Sequence, residues 1–140
     1  HVVVLFPRVE VSTAQSRGVL PSSISIEKAV AQWSNLGSFI ASLYQGDFDL
    51  MQQSLHDRVA EPYRAQFIPH FDELKQQAMQ ANAIGFGISG SGPSVFALAR
   101  NQKDAHTIQN SMQSVFTNSN IDYLCLVESL YQKTGCRIIQ

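Results

Sequence analysis

Charge is scarce in this 140-residue chain: ten Lys and Arg stand against eleven Asp and Glu, 15% of residues, for a net charge of −1. Such a balance offers no basic field to hold nucleic acid or an anionic lipid surface, and neither partner is expected. Long apolar runs are missing too, since none approaches the roughly 20 residues that span a bilayer. Only two cysteines occur, Cys125 and Cys136, with no His or further Cys at ligand spacing. Both read as small buried residues with free thiols, and no metal site is expected. His1, His56, His70 and His106 are scattered without a metal or triad pattern, and His70, after Pro69, reads as a solvated first-turn residue. No Gly-Lys-Ser/Thr follows the glycines, and Gly85, Gly87 and Gly90 do not open a helix, which excludes a Walker A loop and a dinucleotide fingerprint. The opening run His1-Val2-Val3-Val4-Leu5-Phe6 has neither a Met nor a basic start. It is expected to be a strand of a longer chain, not a signal peptide.

What is present is concentrated in residues 85–98, Gly-Phe-Gly-Ile-Ser-Gly-Ser-Gly-Pro-Ser-Val-Phe-Ala-Leu. Glycines let successive backbone N–H groups converge on an anion, and the hydroxyls of Ser89 and Ser91 suit phosphate or carboxylate oxygens. Pro93 fixes φ and ends the turn before the strand Val95–Leu98. Taken alone, the segment is a Gly/Ser-rich turn between two strands, either a plain hairpin or a ligand loop.

Hydrophobic residues make up 44% of the chain, enough for one globular domain over residues 1–140 with a sizeable core. Val2–Phe6 reads as a central strand. A short helix starts at Ser12 or Thr13, and a long one carries Ile26, Val30, Trp33, Leu36, Gly37, Ile40, Leu43 and Tyr44 at helical spacing up to Gln45-Gly46. That stripe is expected to be a core face, with Gly37 a point of close helix contact. Further helices are expected from Asp47 to about Leu55, over 57–66, from Pro69 through Met79, and around Ala105, Ile108, Met112, Val115 and Phe116. Strands are expected at Ile84–Ile88, Val95–Ala99, Ile121–Val127 and Cys136–Ile139. This order predicts an α+β fold: a two-layer, mostly antiparallel four-stranded sheet with helices on one face, ferredoxin-like in its later half.

The stretch Gly87–Leu98 resembles the third motif of the GHMP small-molecule kinases. Val11-Ser12-Thr13-Ala14-Gln15-Ser16-Arg17 with Val19-Leu20-Pro21, and Ala60-Glu61-Pro62-Tyr63-Arg64 with Ile68-Pro69, are similar to segments of the homoserine kinases within that family. Gly135-Cys136-Arg137-Ile138-Ile139 is similar to their last strand. The resemblance covers nearly the whole chain and implies a GHMP kinase C-terminal domain. It also implies transfer of the γ-phosphoryl of ATP to the hydroxyl of L-homoserine in threonine biosynthesis, in a cytoplasmic homodimer. ATP and Mg²⁺ would be held mainly by an N-terminal domain, because the family's Pro-x-x-x-Gly-Leu-Gly-Ser-Ser-type loop is absent from these residues. The chain alone is therefore expected to be inactive, and no catalytic residue is assigned in it.

By the same resemblance Arg17 and Arg64 are expected to grip the homoserine carboxylate, with Thr13 beside them. A guanidinium fork suits a carboxylate better than an ammonium does. Gly87, Ser89, Gly90, Ser91, Gly92 and Pro93 would form the glycine-rich active-site loop. Glu61 reads as a local helix charge or as a partner orienting Arg64, while Arg8, Arg58, Arg100 and Arg137 read as solvated. Two other readings remain open: another GHMP kinase of mevalonate or diphosphomevalonate type, and a non-catalytic amino-acid-binding regulatory module.

Overall fold

The computed structural model describes residues 1–131. The expected strand at Cys136–Ile139 and Arg137 lie outside them. Four strands form one antiparallel sheet: β1 (Val2–Pro7), β2 (Gly85–Ile88), β3 (Val95–Leu98) and β4 (Tyr123–Glu128), in the order β2-β3-β1-β4. The β-branched run of β1 takes the centre of the sheet, where its backbone bonds on both edges. Val3 pairs with Ala97 on one side and with Val127 on the other. The chain returns between β1 and β2 through five helices and between β3 and β4 through one, which gives the ferredoxin-like strand arrangement across the whole sheet.

Alternation along the strands sets the core. Val3, Leu5, Phe86, Val95 and Ala97 point to one face and meet α5 (Phe71–Gln80) and α6 (Gln102–Ser114). Those helices contribute Phe71, Leu74 and Ala78, and Ala105, Ile108 and Met112, at three- and four-residue spacing. Leu5, Leu74, Ile108 and Met112 are fully buried. Each such side chain stabilises the fold by about 1.5–3 kcal/mol through the apolar surface it removes from water. Asn101 starts α6 by accepting from the Asp104 N–H at 2.9 Å.

The helix expected over 26–45 forms as α2 (Ile26–Gln45), after the short α1 (Thr13–Gly18). Ser25 caps its start, and Gly46, at φ +67°, ends it in the left-handed conformation. Its apolar stripe is not a core face: Ile26, Trp33 and Tyr44 are 73%, 63% and 90% exposed. The packed face of the sheet is already covered by α5 and α6. Instead α2 lies along α3 (Phe48–Ser54) and turns Ala29 and Ser42 inward. Nothing lies within 4 Å of a Cβ built on Gly37, so no close helix contact forms there.

Two other expectations are corrected. The helix over 57–66 shrinks to α4 (Glu61–Arg64) followed by a 3₁₀ turn, Ala65–Phe67. The Asp57 carboxylate instead accepts the N–H groups of Val59 and Ala60, both at 2.8 Å, and holds the residues before α4 as a turn. Pro69 stands before the first turn of α5, because His70 is the capping residue, at φ +57°. The His70 ring meets the Phe116 ring edge-on at 5.5 Å.

Candidate functional site

The glycine loop joins β2 to β3. It closes through the Ser89 N–H donating to the Ser94 carbonyl at 2.8 Å and the Gly92 N–H donating to the Ser89 carbonyl at 3.2 Å. Gly90 and Gly92 sit at φ +64° and +82°, which a residue with a Cβ adopts only at a cost. Gly92 is also crowded, since an added Cβ would lie 3.3 Å from Ile68 Cδ1. Gly85 and Gly87 have a different reason to be glycine. They face the side of the sheet opposite Phe86, where an added Cβ would lie 2.2 Å from Leu55 Cδ2 and 3.1 Å from the Phe96 ring, respectively. Pro93 is buried behind the loop, and the Gly92–Pro93 peptide is cis.

Two segments distant in sequence reach this loop. Ser12 caps α1, and the fully buried Ser16 donates its hydroxyl to the Ser91 carbonyl at 2.7 Å. Pro62 in the first turn of α4 leads to Arg64. Arg64 donates from Nη1 to the Gly90 carbonyl at 3.0 Å and from Nε to the Ser16 carbonyl at 3.2 Å. The guanidinium thus lies beside the glycine loop. Two of its five donors are committed to backbone, and three remain for a ligand.

Thr13 and Arg17 stand on α1, three residues before and one after Ser16, and both are exposed. Ser16 and Arg17 follow Thr13 by three and four residues, which puts Thr13 beside each of them on the helix surface. Neither the Thr13 nor the Arg17 side chain makes a hydrogen bond or ion pair among the described residues. Ser89 is exposed, and the Ser91 hydroxyl has only a long 3.5 Å contact with the Gly92 carbonyl.

Glu61 does not orient Arg64; it is paired with Lys75 of α5. Lys75 is a contact the sequence reading missed, as is Ser16. Ser16 is the only buried residue of α1, but its partner lies 75 residues away, which no local pattern announces. Arg100 pairs with Asp49 at 3.0 Å, exposed on both sides, and Arg8 and Arg58 are exposed as expected. Cys125 is a half-buried free thiol whose pKa burial pushes up to about 11. A separate cavity of about 180 Å³ opens between Leu36 and Phe39 of α2, the His56–Asp57 turn and Gly87. Apart from Gly87 it takes in none of the expected site residues.

The family model for GHMP kinases, C terminal, matches residues 39–118, which include Arg64 and the whole glycine loop. The chain belongs to the GHMP kinase family. Its relatives narrow the comparison. This GHMP kinase C-terminal domain is 47% identical over 113 residues to homoserine kinase of Chlorobaculum tepidum, covering 81% of this chain and 35% of that protein. It is 41% identical over 137 residues to homoserine kinase of Chloroherpeton thalassium, covering 95% and 42%. The crystal structure of homoserine kinase from Cytophaga hutchinsonii superimposes with a TM-score of 0.89 at 41% identity, over 91% of this chain and 41% of that one. A putative homoserine kinase from Listeria monocytogenes, 23% identical with a TM-score of 0.60, shares the fold. The domain therefore spans between about a third and two fifths of the length of these relatives. No helix among the described residues is long and apolar enough to cross a membrane.

Proposed function

We propose that this domain is the substrate-side part of a homoserine kinase, which transfers the γ-phosphoryl group of ATP to the side-chain hydroxyl of L-homoserine. The observation that carries the reading is the convergence of α1, α4 and the glycine loop through Ser16 and Arg64. Two of the segments that meet there are similar to homoserine kinases and the third to the GHMP kinases as a whole, and a homoserine kinase relative covers 95% of this chain.

Phosphoryl transfer depends on holding the acceptor in line with the phosphate and on stabilising charge on its oxygens. In this reading Arg17 and the remaining donors of Arg64 hold the homoserine carboxylate, Thr13 lies beside them, and the loop Gly87–Pro93 buttresses the phosphate end. Mg²⁺, which the resemblance implies, meets no group of three His, Cys, Asp or Glu side chains among the described residues. No step is assigned to it in this domain. ATP and Mg²⁺ would be held mainly outside these 140 residues, and the protein of relatives' length would act in the cytoplasm as a homodimer.

A substrate panel tests this. The protein of relatives' length is incubated with ATP and, in turn, homoserine, mevalonate and diphosphomevalonate, and ADP release is followed. Homoserine-dependent release supports the reading. Release with a mevalonate compound instead assigns another GHMP reaction, and homoserine binding without any turnover assigns a non-catalytic module.

A further inference from the structure

In a planar trans peptide the C=O and N–H point in opposite directions, so fixing a carbonyl aims the amide that follows it. Arg64 Nη1 fixes the Gly90 carbonyl at 3.0 Å, which turns the Ser91 N–H away from the guanidinium. The Ser16 hydroxyl fixes the Ser91 carbonyl at 2.7 Å, which aims the Gly92 N–H, and that N–H closes the turn on Ser89 at 3.2 Å. Arg64 Nε on the Ser16 carbonyl at 3.2 Å joins the two anchors into one set. The N–H groups of Gly90 and Ser91 make no hydrogen bond among the described residues.

We propose that Ser16 and Arg64 form a latch that sets the two peptide planes of the Gly90–Gly92 turn and so presents the Ser91 N–H to an oxygen of the transferred phosphoryl group. The identity of that oxygen rests on the kinase reading above; the latch itself does not. Ser16 is a positioning residue here, since its hydroxyl is buried and spent on the Ser91 carbonyl. Preset amides are effective because they need not reorganise when charge develops on the oxygen they face. The latch also ties α1, which carries Thr13 and Arg17, to the loop, so the acceptor and phosphate ends of the site share one rigid frame.

The test uses the protein of relatives' length with Ser16→Ala and, as the variant that restores the hydroxyl, Ser16→Thr. Amide hydrogen exchange at Ser89 and Gly92 reports the turn without reference to activity. Losing one anchoring hydrogen bond should speed it about tenfold in Ser16→Ala. In the same variant kcat should fall about tenfold or more, with the homoserine KM within about twofold, because the Arg64 Nε bond to the Ser16 backbone carbonyl still holds α1 beside the loop. Ser16→Thr should return both readouts toward wild type; should its methyl group not fit, exchange in Ser16→Ala decides. Unchanged exchange at both amides in Ser16→Ala overturns the latch. Faster exchange with unchanged kcat overturns its part in phosphoryl transfer. A wild-type protein that phosphorylates no acceptor overturns the kinase reading and leaves exchange to judge the latch alone.

Discussion

Ser16 and Ser91 lie 75 residues apart in sequence and meet through a 2.7 Å hydrogen bond from the hydroxyl of one to the carbonyl of the other. The bond brings the first helix of the chain against the turn between β2 and β3, with Arg64 completing the contact from a third segment. Each of these pieces is short, and none has a core of its own. The four-stranded sheet and its α5–α6 layer hold them together, so the site depends on the whole fold.

Gly90 is expected to tolerate no β-branched residue. An added Cβ there meets nothing within 4 Å, so the cost comes from φ +64° and not from a clash. A left-handed conformation costs an ordinary residue about 1–2 kcal/mol, and a β-branched one more. In the protein of relatives' length Gly90→Val should lower kcat strongly while Gly90→Ala lowers it less. Equal and unimpaired turnover in both variants would mean that the loop is only a hairpin.

Gly85 separates packing from function. Its added Cβ would overlap Leu55 Cδ2 at 2.2 Å, on the side of the sheet away from α5 and α6. Gly85→Ala should therefore destabilise the fold by about 1–3 kcal/mol, the range for overpacking. Denaturant unfolding measures this. At temperatures where the variant is folded, its homoserine KM should match wild type.

Cys125 should react slowly. Burial holds its pKa at about 11, against an ordinary value of 9.0, so at pH 8 almost none of it is thiolate. In a Cys136→Ala background, alkylation should be far slower than for a small-molecule thiol and should accelerate as pH rises toward 11. The sign for stability follows. The unfolded thiol ionises first, so the contribution of Cys125 is present below pH 9 and is lost between about 9 and 11.

The 140-residue chain alone should fold, show no kinase activity and self-associate as its concentration rises. Val30, Trp33, Leu36 and Ile40 of α2 are 45–63% exposed, a contiguous apolar stripe of the kind that drives association. Sedimentation should show oligomers that Trp33→Glu disperses. A strictly monomeric chain at high concentration would contradict this, and homoserine phosphorylation by these residues alone would contradict the assignment of ATP binding elsewhere.

The elements were legible where local physics decides them. The β-branched run of β1, the Ser12 start of α1 and the Gly46 end of α2 all follow from a residue's own conformational preferences. Which face of α2 is buried was not legible. Periodicity marks an apolar stripe but not what covers it, and α5 and α6 fill the packed face of this sheet first. The candidate site divides in the same way. Gly90, Gly92 and Arg64 could be singled out by residue type and motif, whereas Ser16 and the Glu61–Lys75 pair depend on contacts between distant segments.

Arg64 decides whether α1 and α4 frame the site of the amino-acid substrate. A bidentate charge-assisted pair to a carboxylate is worth roughly 2–4 kcal/mol, taking about 1.5–3 per hydrogen bond to a charged group with incomplete additivity. The decisive measurement is the initial rate of Arg64→Leu in the protein of relatives' length, with homoserine and ATP varied separately. The homoserine KM should rise about 30-fold or more, kcat should fall as the latch opens, and the ATP KM should stay close to wild type. Arg64→Lys should recover only part of the loss, since an ammonium cannot reproduce the fork. An equal rise in the ATP KM would move Arg64 to the phosphate side, and unchanged constants for both substrates would remove it from the site.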